Sequence, residues 1–195
     1  GPADARGVIL VFTDFGHRAS YMGQMAAVMH RAAPELAVVT LTAHAPAFDP
    51  YRSAYLLAAE AGIARPGDVV LAVVDPGVGT DRTPLALLAD GVWYVAPDNG
   101  LTSRVAARAR AVETHAITWR PQRLSASFHG RDLFAPTAAA LARGVTAGLE
   151  PVAASAVGAD WPDELDQIVF IDDYGNAMTG RRAASLAADA TLAVP

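Results

Sequence analysis

Asp75, Arg82 and His129 are the residues of this sequence whose types could together handle a water molecule. An arginine beside an acid favours the charged acid. A histidine beside such a pair can position or deprotonate water, help typically worth ~10²–10⁴-fold in rate. The same residues also fit a plainer arrangement, a surface ion pair and a histidine capping the helix that follows it. Asp14 ends an apolar run, where a carboxylate can accept hydrogen bonds from a ribose diol or cap the next helix. Phe48 lies in a loop, where an aromatic ring stacks on a base or folds back onto the core. Asp98-Asn99-Gly100 reads as a turn, as does the stretch between Asp172 and Asn176, because Asn and Gly tolerate positive φ. For Asp98-Asn99-Gly100, ligand contact is the alternative. His17 and His44 fall near these segments and could support a site from behind. His30 and His115 read as solvent-facing or locally satisfied, and Trp93 and Tyr94 as sheet packing.

Composition narrows the chemistry further. There is no cysteine and no lysine, so all 15 basic residues are arginine. That removes thiolate nucleophiles, cysteine-ligated zinc, Schiff bases and the P-loop lysine. Hydrophobic residues make up 52% and charged residues 18% of 195, enough to bury a sizeable core. A net charge of −5 argues against a nucleic-acid partner. No run approaches the ~18 apolar residues of a membrane span. With no signal-peptide pattern, a cytoplasmic location is expected. Gly1-Pro2 reads as a protease scar and is left out of the fold reading.

The elements that must position these residues follow from apolar runs and turn signals. Runs at 8–12, 36–41 and 69–74 read as strands, the last ending at Asp75. Runs at 85–89 and 92–96, separated by Asp90-Gly91, read as a hairpin. Residues 112–118 and 167–171 read as further strands. Helices are expected over 20–33, 51–61, 101–110 and 133–143, with loop over 119–126 and a Gly/Pro-punctuated connector over 144–162. Strands alternating with helices imply an α/β fold with a mostly parallel sheet flanked by helices. In such sheets ligands bind beyond the carboxyl ends of the strands. The expected division is an α/β N-terminal domain over 3–160 that carries most of the site. Residues 165–195 read as the incomplete start of a C-terminal β-barrel-like domain.

Taken in order, six motifs resemble one family, the S-adenosyl-L-methionine (SAM) hydrolases, also called SAM hydroxide adenosyltransferases and related to the adenosyl-fluoride and -chloride synthases. They are Thr13-Asp14-Phe15-Gly16, Tyr21-Met22-Gly23-Gln24-Met25, Val74-Asp75-Pro76-Gly77-Val78-Gly79-Thr80, Ala96-Pro97-Asp98-Asn99-Gly100-Leu101, Phe128-His129-Gly130-Arg131-Asp132-Leu133-Phe134-Ala135-Pro136 and Asp172-Asp173-Tyr174-Gly175-Asn176. The resemblance implies attack of water or hydroxide on the ribose C5′ of SAM, giving adenosine and L-methionine, with SAM as substrate and neither cofactor nor metal. It implies water handling by Asp75, Arg82 and His129, ribose binding by Asp14, and packing beside the nucleoside by Phe48 and Phe128. Asp172 would hold the methionine amino group and Asn176 would reach the adenine. It further implies a homotrimer in which SAM lies between one subunit's first domain and its neighbour's second. Ala19 stands where many members carry an acid that contacts methionine, and Tyr174 where Phe is usual.

Three other functions compete. The halide-using relatives carry Tyr-Ser in place of His129-Gly130 and a tyrosine in place of Asp75, whose charge would repel a halide. The fluorinating members also carry an inserted loop for which residues 80–84 leave no room. A metal-dependent phosphohydrolase could use Asp14, Asp75, Asp98, Asn99 and His129, though none share a recognised metal-ligand spacing. Asp14-Phe15-Gly16 matches the protein-kinase triplet, but the remaining kinase motifs are missing. A non-catalytic SAM- or adenosine-binding protein is the third.

Overall fold

The computed structural model describes residues 7–191 and 193; residues 3–6 of the expected first domain, and 192, 194 and 195 of the second, lie outside it, as does Gly1-Pro2. Strands β1 (Ile9–Thr13), β2 (Val38–Thr42), β3 (Val69–Val73), β4 (Pro84–Ala89), β5 (Val92–Pro97), β6 (Val112–Ile117) and β7 (Leu149–Pro151) form one sheet in the order β2-β1-β3-β5-β4-β6-β7. β1, β2, β3 and β5 pair in parallel, and β4, β6 and β7 join by antiparallel pairings. Two antiparallel steps return β6 to the direction of β5, so five of the seven strands point the same way. The expected α/β fold is the observed one.

Side chains alternate across each strand, and the central strands are buried on both faces. Ile9, Val11, Val69, Leu71 and Val73 meet α1 (Tyr21–Ala32) and α4 (Ala135–Ala142) through Met22, Met25, Met29, Ala138 and Leu141. Leu10, Phe12, Val70, Ala72 and Val74 meet α2 (Pro50–Glu60) and α3 (Ser103–Arg108) on the other side. Asp49 starts α2 by accepting the Arg52 N–H at 3.0 Å, with Pro50 pre-set in the first turn. The Asp90-Gly91 hairpin forms as expected, with Asp90 and Gly91 both at positive φ.

The structure corrects four local expectations. The connector over 144–162 contains β7, a short edge strand on β6. The strand expected at 167–171 is β8, Leu165–Ile171, and it pairs with β9, Ala177–Gly180, in a separate two-stranded sheet. Leu165 and Val169 of β8 pack into the core on the α2 side. The helix expected over 101–110 is only Ser103–Arg108. The helix expected over 133–143 begins earlier, as a wide π-turn at Gly130–Phe134, before α4.

Candidate active site

The carboxyl ends of β1 and β3 open into a cavity of about 340 Å³. Asp14, Phe15, Tyr21, Phe48, Val73, Asp75, Ser127, Phe128 and His129 are among its lining residues. Asp14 and Asp75 occupy it because each follows the last residues of a buried strand. Asp14 accepts the Phe48 N–H at 2.8 Å on its Oδ2, so the two loops after β1 and β2 are tied together. It is half-buried, and burial pushes its pKa up. The Phe48 hydrogen bond and its own backbone N–H oppose that rise, and the charge of Asp75 adds to it. Phe48 has φ 57 and is 77% exposed, so its ring stands at the mouth rather than on the core. Helix α1 has Ser20 at its N-cap, so Asp14 is not a capping residue.

Asp75 and Arg82 meet because the segment between them doubles back. Val78 N–H donates to the Asp75 carbonyl and Thr80 N–H to that of Gly77, at 3.3 and 3.0 Å. Gly79, at φ +79, lies against the Ala126 carbonyl, where a Cβ would come within 2.6 Å. Arg82 Nε donates to both Asp75 oxygens at 2.9 Å, and its Nη2 donates to Oδ2. Their side chains are 4% and 9% exposed, which rules out a surface ion pair. The Arg82 guanidinium also lies 5.4 Å from the centre of the buried Phe134 ring.

Arg82 Nη2 lies 3.2 Å from His129 Nδ1. A guanidinium has donors only, so Nδ1 accepts and the neutral ring carries its proton on Nε2. Burial pushes the His129 pKa below its ordinary value, the Arg82 charge adds to that, and Asp75 opposes it. The His129 side chain makes no capping hydrogen bond to the turn that follows, so the capping alternative fails. The arrangement is a buried carboxylate, a guanidinium and a neutral imidazole against one cavity. It can hold a small polar molecule and accept a proton from it.

Phe128 meets Phe15 and Tyr21 edge-on, with centroids 6.0 and 5.2 Å away, and the Arg131 guanidinium lies 5.0 Å from its ring centre. Phe15, Tyr21 and Ser127 are cavity residues that the sequence reading left unassigned; Phe15 adjoins Asp14 and Ser127 lies two residues before His129, whereas Tyr21, at the start of α1, had no such neighbour. Asp172 and Asn176 do not line this chain's cavity. They close the β8–β9 turn, where Asn176 Nδ2 donates to Asp172 Oδ2 and its backbone N–H to Oδ1, both at 2.8 Å. These bonds, the side-chain one first, hold the Asp172 carboxyl below its ordinary range. His17 and His44 face one another with ring centres 5.4 Å apart and stay outside the cavity lining. Among the described residues, no three His, Asp or Glu side chains are grouped to hold a metal ion, and no helix is long and apolar enough to cross a membrane.

Known proteins share the sequence and fold of this chain. Residues 9–150 match the family model described as the SAM hydroxide adenosyltransferase N-terminal domain. A Thermus thermophilus protein named (R)-S-adenosyl-L-methionine hydrolase is 38% identical, over 88% of this chain and 73% of that protein. A Salinispora arenicola protein of the same name is 42% identical over 68% of this chain, which spans about half (52%) of that relative's length. The crystal structure of an uncharacterized conserved protein from Thermotoga maritima superposes with a TM-score of 0.81 at 29% identity, covering 88% of this chain and 71% of that one. The matched region holds both strand ends, the doubled-back segment and His129, and by that match the chain belongs to the SAM hydroxide adenosyltransferase family.

Proposed function

We propose that the protein hydrolyses SAM to adenosine and L-methionine through attack of water on the ribose C5′. The observation that carries this reading is the buried Asp75–Arg82–His129 cluster facing the cavity that Asp14 and Phe48 share. Family membership and the names of the relatives support the same substrate. Asp14 accepts the ribose hydroxyls, and Phe48 and Phe128 pack beside the nucleoside. Water sits against Asp75 and His129. The His129 Nε2–H donates to the water oxygen and so orients it; Asp75 takes the proton as the bond to C5′ forms. The C5′–S bond breaks with its electron pair going to sulfur. The leaving group is then a neutral thioether, which needs no general acid. The Asp75 carboxylate and the sulfonium both lose their charge in this step, so a cavity that excludes bulk water favours the reaction. Holding the oxygen, C5′ and sulfur in line supplies the rest.

The reading includes a cytoplasmic enzyme that uses no metal or cofactor and has no nucleic-acid or membrane partner. It also includes a homotrimer in which Asp172 and Asn176 of one subunit complete the neighbour's cavity. That Asn176 is exposed and Asp172 partly exposed, both bonded into a preformed turn and outside their own chain's cavity, supports this role. The domain division at about residue 160 belongs to the same proposal, with β8 and β9 opening the second domain. The Asp75 carboxylate at the cavity weighs against halide as nucleophile.

The test is to incubate the protein with SAM and a chelator and follow products by chromatography. Equal release of adenosine and methionine, lost in Asp75→Ala, is expected. Intact SAM despite calorimetric binding would replace this reading with a binding protein, and chelator-sensitive turnover would replace it with a metal enzyme.

A further inference from the structure

The turn Pro97-Asp98-Asn99-Gly100 lies outside the cavity lining, yet it touches the chain on both sides of the ion pair. The parallel ladder between β3 and β5 ends at Leu71 and Val95, so Val74 is past the last paired residue and fully buried. Its carbonyl is met by Asn99, whose Nδ2 donates to Val74 O at 2.8 Å. Val74 directly precedes Asp75. The Asn99 Oδ1 accepts the Leu101 N–H at 3.2 Å, which fixes the side chain's own orientation. On the other flank, the Asp98 N–H donates to the Thr83 carbonyl at 2.8 Å, and Thr83 directly follows Arg82. The turn is braced from behind. The Ser155 hydroxyl donates to Asp98 Oδ1 at 2.5 Å, and the Trp161 ring lies against Gly100, which is at φ +91 and has no room for a Cβ.

We infer that Asn99 is a positioning residue for the reaction: its amide aims the Asp75 carboxylate, and the turn that carries it holds the Asp75 and Arg82 backbones at a fixed separation. Two properties single out Asn for this place. An amide offers a donor and an acceptor on one short side chain, and both are used here. A buried carbonyl left without a donor also relaxes toward any other partner, carrying Asp75 with it. A displacement of about 1 Å at a reacting group can cost on the order of 10²-fold in rate. The inference rests on the hydrolase reading above.

The experiment measures kcat and KM for SAM in the wild type, Asn99→Ala and Asn99→Asp, with thermal melts of each. Asn99→Ala is expected to lower kcat roughly tenfold to a hundredfold while KM stays within about threefold, because Asp75 handles water and not the nucleoside. Asn99→Asp keeps the acceptor for Leu101 but sets a carboxylate against the Val74 carbonyl. Its kcat relative to wild type is expected to rise as pH falls, since the protonated carboxyl donates to that carbonyl. A purely structural residue would lower the melting point and the folded fraction without that pH-dependent recovery. Unchanged kcat per folded molecule in Asn99→Ala, or a ratio for Asn99→Asp that is flat with pH, would overturn the inference. So would failure of both variants to fold, which would make the turn a determinant of the fold instead. If the wild type leaves SAM intact, the hydrolase reading itself has failed.

Discussion

Asp75 and Arg82 are each other's condition for being buried. Two charges taken out of water are tolerated when paired, whereas removing one strands the other, at a cost of about 3–5 kcal/mol. Asp75→Ala should therefore lose both activity and roughly that much stability in chemical denaturation. The double variant Asp75→Leu, Arg82→Met should recover most of the stability and none of the activity. Recovery of activity in the double variant would remove the pair from the chemistry. His129 yields a pH prediction. Its folded pKa lies below the unfolded value of 6.5. Between the two, the unfolded chain binds a proton that the folded chain does not, so stability rises with pH through that window and is lost on acidification from 6.5 downward. Activity should fall only lower, as pH drops through the folded pKa itself, because an imidazolium cannot accept from Arg82. His129→Gln should flatten this component of both profiles, by denaturation midpoints and initial rates. Asp14 acts in the opposite sense on stability. Its raised pKa means the folded chain binds the extra proton just above 3.8, so its contribution shrinks as pH rises there.

At the scale of elements, the parts legible in the sequence were those with a repeated physical signal. β1 and β3 are apolar runs that stop at an acid, and the β4–β5 hairpin is announced by Asp90-Gly91. β7 and β9 carry no such signal. β7 is three residues with Glu150 and Pro151 exposed, and β9 turns Ala177 and Met178 to solvent. Both exist because a neighbouring strand had an open edge, which no local pattern records. The π-turn before α4 follows from Pro136, which has no N–H to give to Asp132, while the Ala135 N–H reaches back to Gly130. The site was legible as residue types but not as geometry. Nothing in the spacing of Asp75 and Arg82 shows that the segment folds back, and the bond from Asn99 to Val74 spans 25 positions. Asp49 offers a test at this scale. Removing its cap with Asp49→Ala should cost about 1 kcal/mol, read as a lowered denaturation midpoint, with little effect on kcat since α2 carries no reacting group. An unchanged midpoint would show that Pro50 and packing alone start the helix.

At the scale of the whole molecule, the proposed trimer makes a prediction that a self-contained site does not. Mixed assemblies of Asp75→Ala and Asp172→Ala chains should regain activity that neither variant has alone, because some cavities then pair an intact Asp75 with an intact Asp172 from the neighbour. Mixtures that stay as inactive as their components would keep Asp172 out of the site. The doubly packed sheet is what makes any such site possible. It anchors the ends of β1 and β3 side by side, so that Asp14 and Asp75 open into one cavity. The central claim is that water held at Asp75 attacks C5′ of SAM, and its most direct test is turnover in water enriched in heavy oxygen, with mass spectrometry of both products. The account predicts adenosine labelled at its 5′-oxygen and unlabelled methionine. Unlabelled adenosine, or release of adenine in its place, would contradict it.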